Sequence, residues 1–94
     1  MKLISNKVLR EFEQVHAAAS QPLQDFRHLI EHGTYGSFAQ LKATFASLDK
    51  VGERYVFNIG GNKYRLIAAI AFQAQLLWVK AVLTHEQYDK GEWK

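Results

Sequence analysis

Two segments of this 94-residue chain carry most of the reactive side chains. One is Asn62-Lys63-Tyr64-Arg65, and the other is Thr84-His85-Glu86-Gln87-Tyr88-Asp89-Lys90. Arg65 is a permanent cation whose planar fork matches phosphate oxygens. His85 supplies an imidazole, the side chain that ordinarily titrates nearest neutrality and so suits general acid or base work. Tyr88 and Asp89 are hydrogen-bonding neighbours, and Lys63 and Lys80 add positive charge. Three cations and an imidazole on one sheet face would cradle a phosphate. Plainer readings use the same residues. Charged positions on a half-buried strand usually face solvent. Thr84, Glu86 and Tyr88 also form an ordinary capped helix start, with a carboxylate near the positive end of the dipole.

Two further patterns carry less. His28-Leu29-Ile30-Glu31-His32 fits the H-x-x-E-H zinc pattern. Such a site needs another ligand and a large cleft, and histidine is favoured in a last helical turn by the dipole alone. Gly60-Gly61-Asn62 lacks the helix start and GK[ST] of a phosphate loop, and reads instead as a hairpin turn. Cysteine is absent, which excludes a thiol nucleophile, a disulfide framework and a cysteine-held zinc. The expectation is a site with no metal and no cofactor.

The elements that must hold these groups follow from periodicity. Lys2-Leu3-Ile4 is a candidate short strand, and Ser5 or Asn6 a helix cap. Val8, Phe12, Val15 and Ala19 share one helical face. Ser20-Gln21-Pro22 breaks that helix and begins another, whose face is Leu23, Phe26, Leu29 and Ile30, with Gly33 as its C-cap. A link this tight predicts an antiparallel helical hairpin. Ser37 with Gln40 predicts a short helix from Phe38 to Phe45, and Leu48 to Gly52 reads as a loop. The period then falls to two. Tyr55, Phe57 and Ile59 alternate before Gly60-Gly61, and a strand from Lys63 to Phe72 follows. Tyr64, Leu66, Ala68, Ile70 and Phe72 occupy one face of it, with Lys63, Arg65 and Ile67 on the other. Gln73-Ala74-Gln75 is a turn. Leu76 to Leu83 is a third strand, placing Trp78, Lys80 and Val82 together, and Thr84 caps a last helix beginning at His85. The fold class is α+β: a helical hairpin and a short helix packed on a small antiparallel sheet, with a short C-terminal helix, as one domain over residues 1–94.

Composition narrows the setting. With 48% hydrophobic and 13% aromatic residues, the chain can offset its ordering entropy. Met1 to Lys7 turns polar too early for a secretory core. The longest uncharged run, Leu66 to Val79, is interrupted by Gln73 and Gln75 and is too short to span a membrane. No membrane partner and a cytoplasmic location are expected. Net charge is +3. Residues 1–36 carry four cations and four anions, whereas residues 37–94 carry eight against five. The excess therefore lies with the two reactive segments, which points to a polyanionic partner.

Three blocks together resemble the HigB toxin family: Leu41-Lys42-Ala43-Thr44-Phe45 with Leu48-Asp49, the run from Arg54 to Ile67, and the run from Leu83 to Lys90. The resemblance covers about residues 38–94. It implies the RelE/ParE-like fold of helices on a small antiparallel sheet. It also implies a cytoplasmic toxin of a bacterial type II toxin–antitoxin module, an mRNA interferase that cuts mRNA on the translating ribosome. The partners implied are mRNA, a cognate HigA-type helix-turn-helix antitoxin, and operator DNA reached only through the antitoxin complex. RNA carries its own nucleophile in the 2′-hydroxyl. On that reading Arg65 clamps the phosphate, His85 transfers the proton, and Tyr88 stacks on a base or bonds the phosphate. Lys42, Lys63, Lys80 and Lys90 hold the RNA backbone. Two alternatives stay open: a related toxin that poisons another target such as gyrase, and a non-toxic protein that only binds antitoxin.

Overall fold

The computed structural model describes residues 1–4, 6–91 and 93. In chain order the elements are β1 (Lys2–Ile4), α1 (Asn6–Val15), a 3-10 turn (Ala17–Ala19), α2 (Ser20–His32), α3 (Phe38–Thr44), β2 (Asp49–Val51), β3 (Arg54–Ile59), β4 (Tyr64–Ala71), β5 (Leu76–Thr84) and α4 (His85–Lys90). The strands form one sheet in the order β1-β5-β4-β3-β2. The α+β class holds. The expected cap at Ser5 falls outside the described residues.

Three parts of the expected arrangement differ. The sheet is mixed, because β1 pairs parallel with β5 while the other three pairings are antiparallel. Parallel neighbours need a long connection, and here α1 to β4 supply it. The N-terminal helical hairpin is not evident: α1 packs chiefly on β5, and α2 on β1 and β3. The 3-10 turn separates the two helices and lets each meet the sheet on its own. Finally, Asp49–Val51 is a strand paired with β3, where the sequence suggests a loop. Three residues give no readable period, so this strand exists only through its partner.

Burial explains the layering. Phe57 sits at the centre of the helix-side core, with Phe26 at 4.9 Å and Phe45 at 5.2 Å between ring centroids, both edge-on. Leu23, Ile30, Leu41, Leu48, Leu66 and Leu77 fill the space around it. Of the face expected for α1, Val8 and Phe12 pack against the core and Ala19 is buried, Leu9 joins them, and Val15 alone departs at 77% exposure. The helix ends at Val15, so that side chain has no following turn to carry it inward. Gly33 ends α2 in an extended conformation, not a left-handed one. A Cβ there would collide with the Tyr35 ring, and Tyr35 is held by its hydroxyl donating to the Leu29 carbonyl at 2.9 Å.

The hairpin at Gly60-Gly61 has a four-residue connection, since Ile59 pairs with Tyr64. Both glycines have positive φ, 62° and 70°. Lys63 thus lies in the turn instead of opening the strand. In β5 the ladder pairs Ile67 with Ala81 and Ala68 with Val79, which leaves Lys80 as the extra residue of a β-bulge. The bulge resets the facing. Leu77, Val79 and Val82 all enter the helix-side core, so Trp78, Lys80 and Val82 do not share a face as expected. On the sheet face away from the main core, Asn58, Arg65 and Leu83 form one row and Val56, Ile67 and Ala81 the next. Arg65 and Ile67 are buried there too.

Candidate active site

Arg65 is buried at 7% residue exposure, and both terminal nitrogens of its guanidinium are directed at acceptors. A buried charge without partners would be costly. Nη1 donates to the carbonyls of Tyr64 at 3.1 Å and Asn62 at 3.3 Å. Nη2 donates to Asn62 Oδ1 at 2.6 Å and to His85 Nδ1 at 3.2 Å. The four-residue turn makes this possible: it turns Asn62 back over the start of β4, three residues before Arg65.

His85 reaches the same point from the other side. Thr84 pairs with Tyr64 across β4 and β5 and then caps α4 with a full capping box. Its hydroxyl accepts from the Gln87 amide at 3.2 Å, and Gln87 Oε1 accepts from the Thr84 amide at 3.0 Å. The His85 amide donates to the Lys63 carbonyl at 3.0 Å, tying the first residue of α4 to the turn. A guanidinium has only donors, so His85 Nδ1 is the acceptor and the neutral ring carries its proton on Nε2. Nε2 lies 3.2 Å from Asp89 Oδ2, one helical turn on. The result is a relay from a buried arginine through an imidazole to an exposed carboxylate. The partner on each ring nitrogen fixes both tautomer and orientation.

Tyr88 flanks this relay. The Arg65 guanidinium lies over its ring at 5.4 Å, and the Trp93 indole stacks on it at 5.0 Å with a 15° interplanar angle. Gly91 takes a left-handed C-cap conformation at φ 70°, which turns the chain back so that Trp93 Nε1 donates to the Tyr88 carbonyl at 3.0 Å.

The structure thus brings Arg65, His85 and Tyr88 together with Asp89, the hydrogen-bonding neighbour expected from sequence, and adds Asn62 and Trp93. Asn62 is readable in the sequence only as a turn residue, since nothing local signals its grip on Arg65. Asp89 stands at the i,i+4 spacing from His85 that a helix brings together. Trp93 has no sequence signal. The lysines are dispersed. Lys63 is exposed in the turn, Lys80 exposed at the bulge and Lys90 exposed at the end of α4. Lys42 lies on α3, on the helix side of the sheet, where its ammonium donates to the Leu48 carbonyl at 2.7 Å. The sheet therefore stands between Lys42 and Arg65. At the zinc-like pattern, the His28 and His32 rings lie 4.2 Å apart, while Glu31 is held by Arg27 at 2.6 Å. Among the described residues, no three histidine or acidic side chains are grouped to hold a metal, and no helix is long and apolar enough to cross a membrane.

Comparison with known proteins agrees with the blocks that carry the site. A family model for the RelE-like toxic component of a toxin–antitoxin system, HigB_toxin, matches residues 19–91. The chain is 34% identical over 92 residues to a protein of Escherichia coli (strain K12) named "mRNA interferase toxin HigB", covering 95% of this chain and 88% of that one. It is equally similar, over the same shares, to "mRNA interferase HigB" of Shigella flexneri. A second relative of that name, from Escherichia coli O6:H1, is 28% identical over 93 residues, covering 96% of this chain and 90% of its own. The matched span takes in the Arg65 turn, β5 and α4 together, and the chain belongs to the HigB toxin family.

Proposed function

We propose that this chain is an mRNA interferase toxin that cuts mRNA on the translating ribosome by metal-free acid–base chemistry. The observation that carries the reading is the contact between Arg65 Nη2 and His85 Nδ1, 20 residues apart in sequence, with Asp89 on the other ring nitrogen. Relatives named as mRNA interferases support it. Cleavage needs the 2′-hydroxyl deprotonated, the extra phosphate charge stabilised and the leaving 5′-oxygen protonated. His85 takes up and returns the proton at Nδ1, whose lone pair is released when Arg65 Nη2 turns to the phosphate, while Asp89 holds the Nε2–H and orients the ring. A positioned group of this kind contributes typically 10²–10⁴-fold.

Arg65 supplies the charge. Its Nη1 stays pinned to backbone carbonyls, which cannot leave. Its Nη2 bond to Asn62 Oδ1 is to a side chain, which can rotate away. A phosphate oxygen takes the place of that amide oxygen. Preorganised charge of this sort often supplies most of an enzyme's rate enhancement. The Tyr88 hydroxyl bonds the phosphate, because its ring is already occupied by Arg65 and Trp93. Lys63, Lys80 and Lys90 hold the RNA backbone, and Lys42 makes a remoter contact. The remaining proposals follow from family membership. Residues 1–94 act as one RelE/ParE-like domain in the cytoplasm. A HigA-type antitoxin neutralises it, and operator DNA is bound only through their complex.

The test is induced expression with primer extension on a reporter mRNA, with and without a translation block. In-frame cuts that disappear when translation stops, and that are lost in Arg65→Ala and His85→Ala, are expected. DNA damage with intact mRNA, or growth arrest undiminished in both variants, would overturn the assignment.

A further inference from the structure

Arg65 leaves one donor nitrogen unanswered. Nη1 and Nη2 make four hydrogen bonds, but among the described residues no acceptor faces Nε. The residue is only 7% exposed, and an unmade hydrogen bond on a buried cation is costly. Nε and Nη2 form one edge of the planar guanidinium, an edge that can grip an oxyanion through two parallel bonds. Nη2, however, is already committed to Asn62 Oδ1 and His85 Nδ1. We propose that Asn62 is a positioning residue whose amide oxygen stands in for a phosphate oxygen at Nη2. The empty site is then occupied by the chain itself, and Asn62 sets how tightly RNA binds. The inference rests on the reading of Arg65 as the phosphate clamp and deepens it.

Three features fit a removable stand-in. First, the Nη2–Oδ1 bond is the shortest of the four at 2.6 Å, as close as a guanidinium approaches an oxyanion. Its acceptor is nevertheless a neutral amide. A charged phosphate oxygen makes the stronger bond and displaces it, which a carboxylate at this position would resist. Second, the carrier is free to move. Asn62 and Lys63 are exposed in the turn. The bond that closes the turn, from the Lys63 amide to the Gly60 carbonyl, is long at 3.4 Å. Third, the clamp survives the exchange. When the Asn62 side chain leaves, Nη1 stays on the main-chain carbonyls of Asn62 and Tyr64. Asn62 thus holds the fork in its binding orientation while the site is empty, and competes for Nη2 when RNA arrives. Apparent affinity falls by the fraction of molecules in which the site is open.

The test compares the full chain, freed from its antitoxin, with Asn62→Ala and Asn62→Asp. Among the described residues Gln75 is the only non-glycine with positive φ, so alanine fits at position 62 without backbone strain. Binding is read by fluorescence anisotropy with a labelled RNA oligonucleotide that carries 2′-O-methyl groups throughout and so lacks the nucleophile. Asn62→Ala is expected to bind about 3- to 10-fold tighter than the native chain, the size of one competing hydrogen bond. Asn62→Asp is expected to bind about tenfold weaker, because a charged acceptor is harder to displace. In a purified translation system the same order is expected in KM, with the smaller change in kcat. Unchanged or weaker binding by Asn62→Ala overturns the proposal, since Asn62 would then be idle or a direct contact to RNA. A second measurement needs no variant. In the 15N-labelled native chain the Asn62 side-chain amide pair, assigned through its backbone, is expected to shift saturably as the same oligonucleotide is added. An unmoved pair overturns the displacement. Binding in the order Ala, Asn, Asp by a chain that cuts no mRNA would sink the proposed reaction and leave the stand-in in place.

Discussion

Arg65 is charged and buried, a combination that is stable only when its donors are answered. Asn62, Tyr64 and His85 supply four acceptors, and the planar fork is what lets one side chain reach them all. Arg65→Lys keeps the charge but loses the fork. It is expected to lower mRNA cleavage by about 10²-fold or more, the size of losing one preorganised electrostatic contact, as measured by primer-extension kinetics. Asp89 sits at the solvent end of the relay, with 61% of its side chain exposed. An exposed ion pair contributes only about 0–1 kcal/mol to stability, so Asp89→Ala should leave the urea midpoint almost unchanged. Its loss lets the imidazole swing, and cleavage should fall about tenfold, a part of the usual acid–base contribution. A large loss of stability with full activity would contradict the role of Asp89.

The helix that carries His85, Tyr88 and Asp89 is weak by itself. α4 has six residues, far below the length at which an isolated helix persists. It exists because Thr84 and Gln87 cap one end, Gly91 closes the other, and the His85 amide is bonded to the Lys63 carbonyl. Thr84→Ala removes one side of the capping box and should cost about 1 kcal/mol. Nearly all of that cost falls on α4. Hydrogen exchange at the Gln87 and Tyr88 amides should therefore accelerate while the amides of β4 stay protected, and cleavage should drop in parallel. Equal acceleration across the sheet would show that the cap serves the whole fold instead. β4 and β5, by contrast, supply a rigid floor, and the bulge at Lys80 sets which β5 side chains face the Arg65 side.

For the molecule as a whole, the two sheet faces do different work. The helix side holds the dense core around Phe57 and Leu66. The other side carries Arg65, the α4 relay and Trp93. Leu66 is fully buried, so Leu66→Ala should destabilise the fold by about 2–5 kcal/mol, read as a lowered urea midpoint. Val15 is 77% exposed despite lying on a predicted apolar face, so Val15→Ser should change stability by less than about 0.5 kcal/mol. A comparable loss in both variants would mean that α1 docks through a different face.

Much of this is present in the chain itself. The period-two alternation of Tyr64, Leu66, Ala68 and Ile70 dictates which way Arg65 points. The Thr84–Gln87 spacing dictates where α4 begins, and the His85–Asp89 spacing dictates that their side chains meet. These are local effects, because neighbours three or four residues apart are bound by helix geometry and alternate residues by the pleat. What only the tertiary structure decided was non-local. β2 is three residues long and exists through its partner, and the parallel pairing of β1 with β5 is likewise non-local, although the β1 strand itself is legible in the sequence. The bulge that displaces Lys80 arises from pairing with β4, and the lysine cradle expected from simple alternation disperses with it. The closure of Asn62, Arg65 and His85, and the stacking of Trp93 on Tyr88, join segments whose approach depends on strand register and the return of the chain at Gly91. A sequence states the side chains available to such a site. Their coming together requires that the loop-closure cost be offset by packing across the whole sheet.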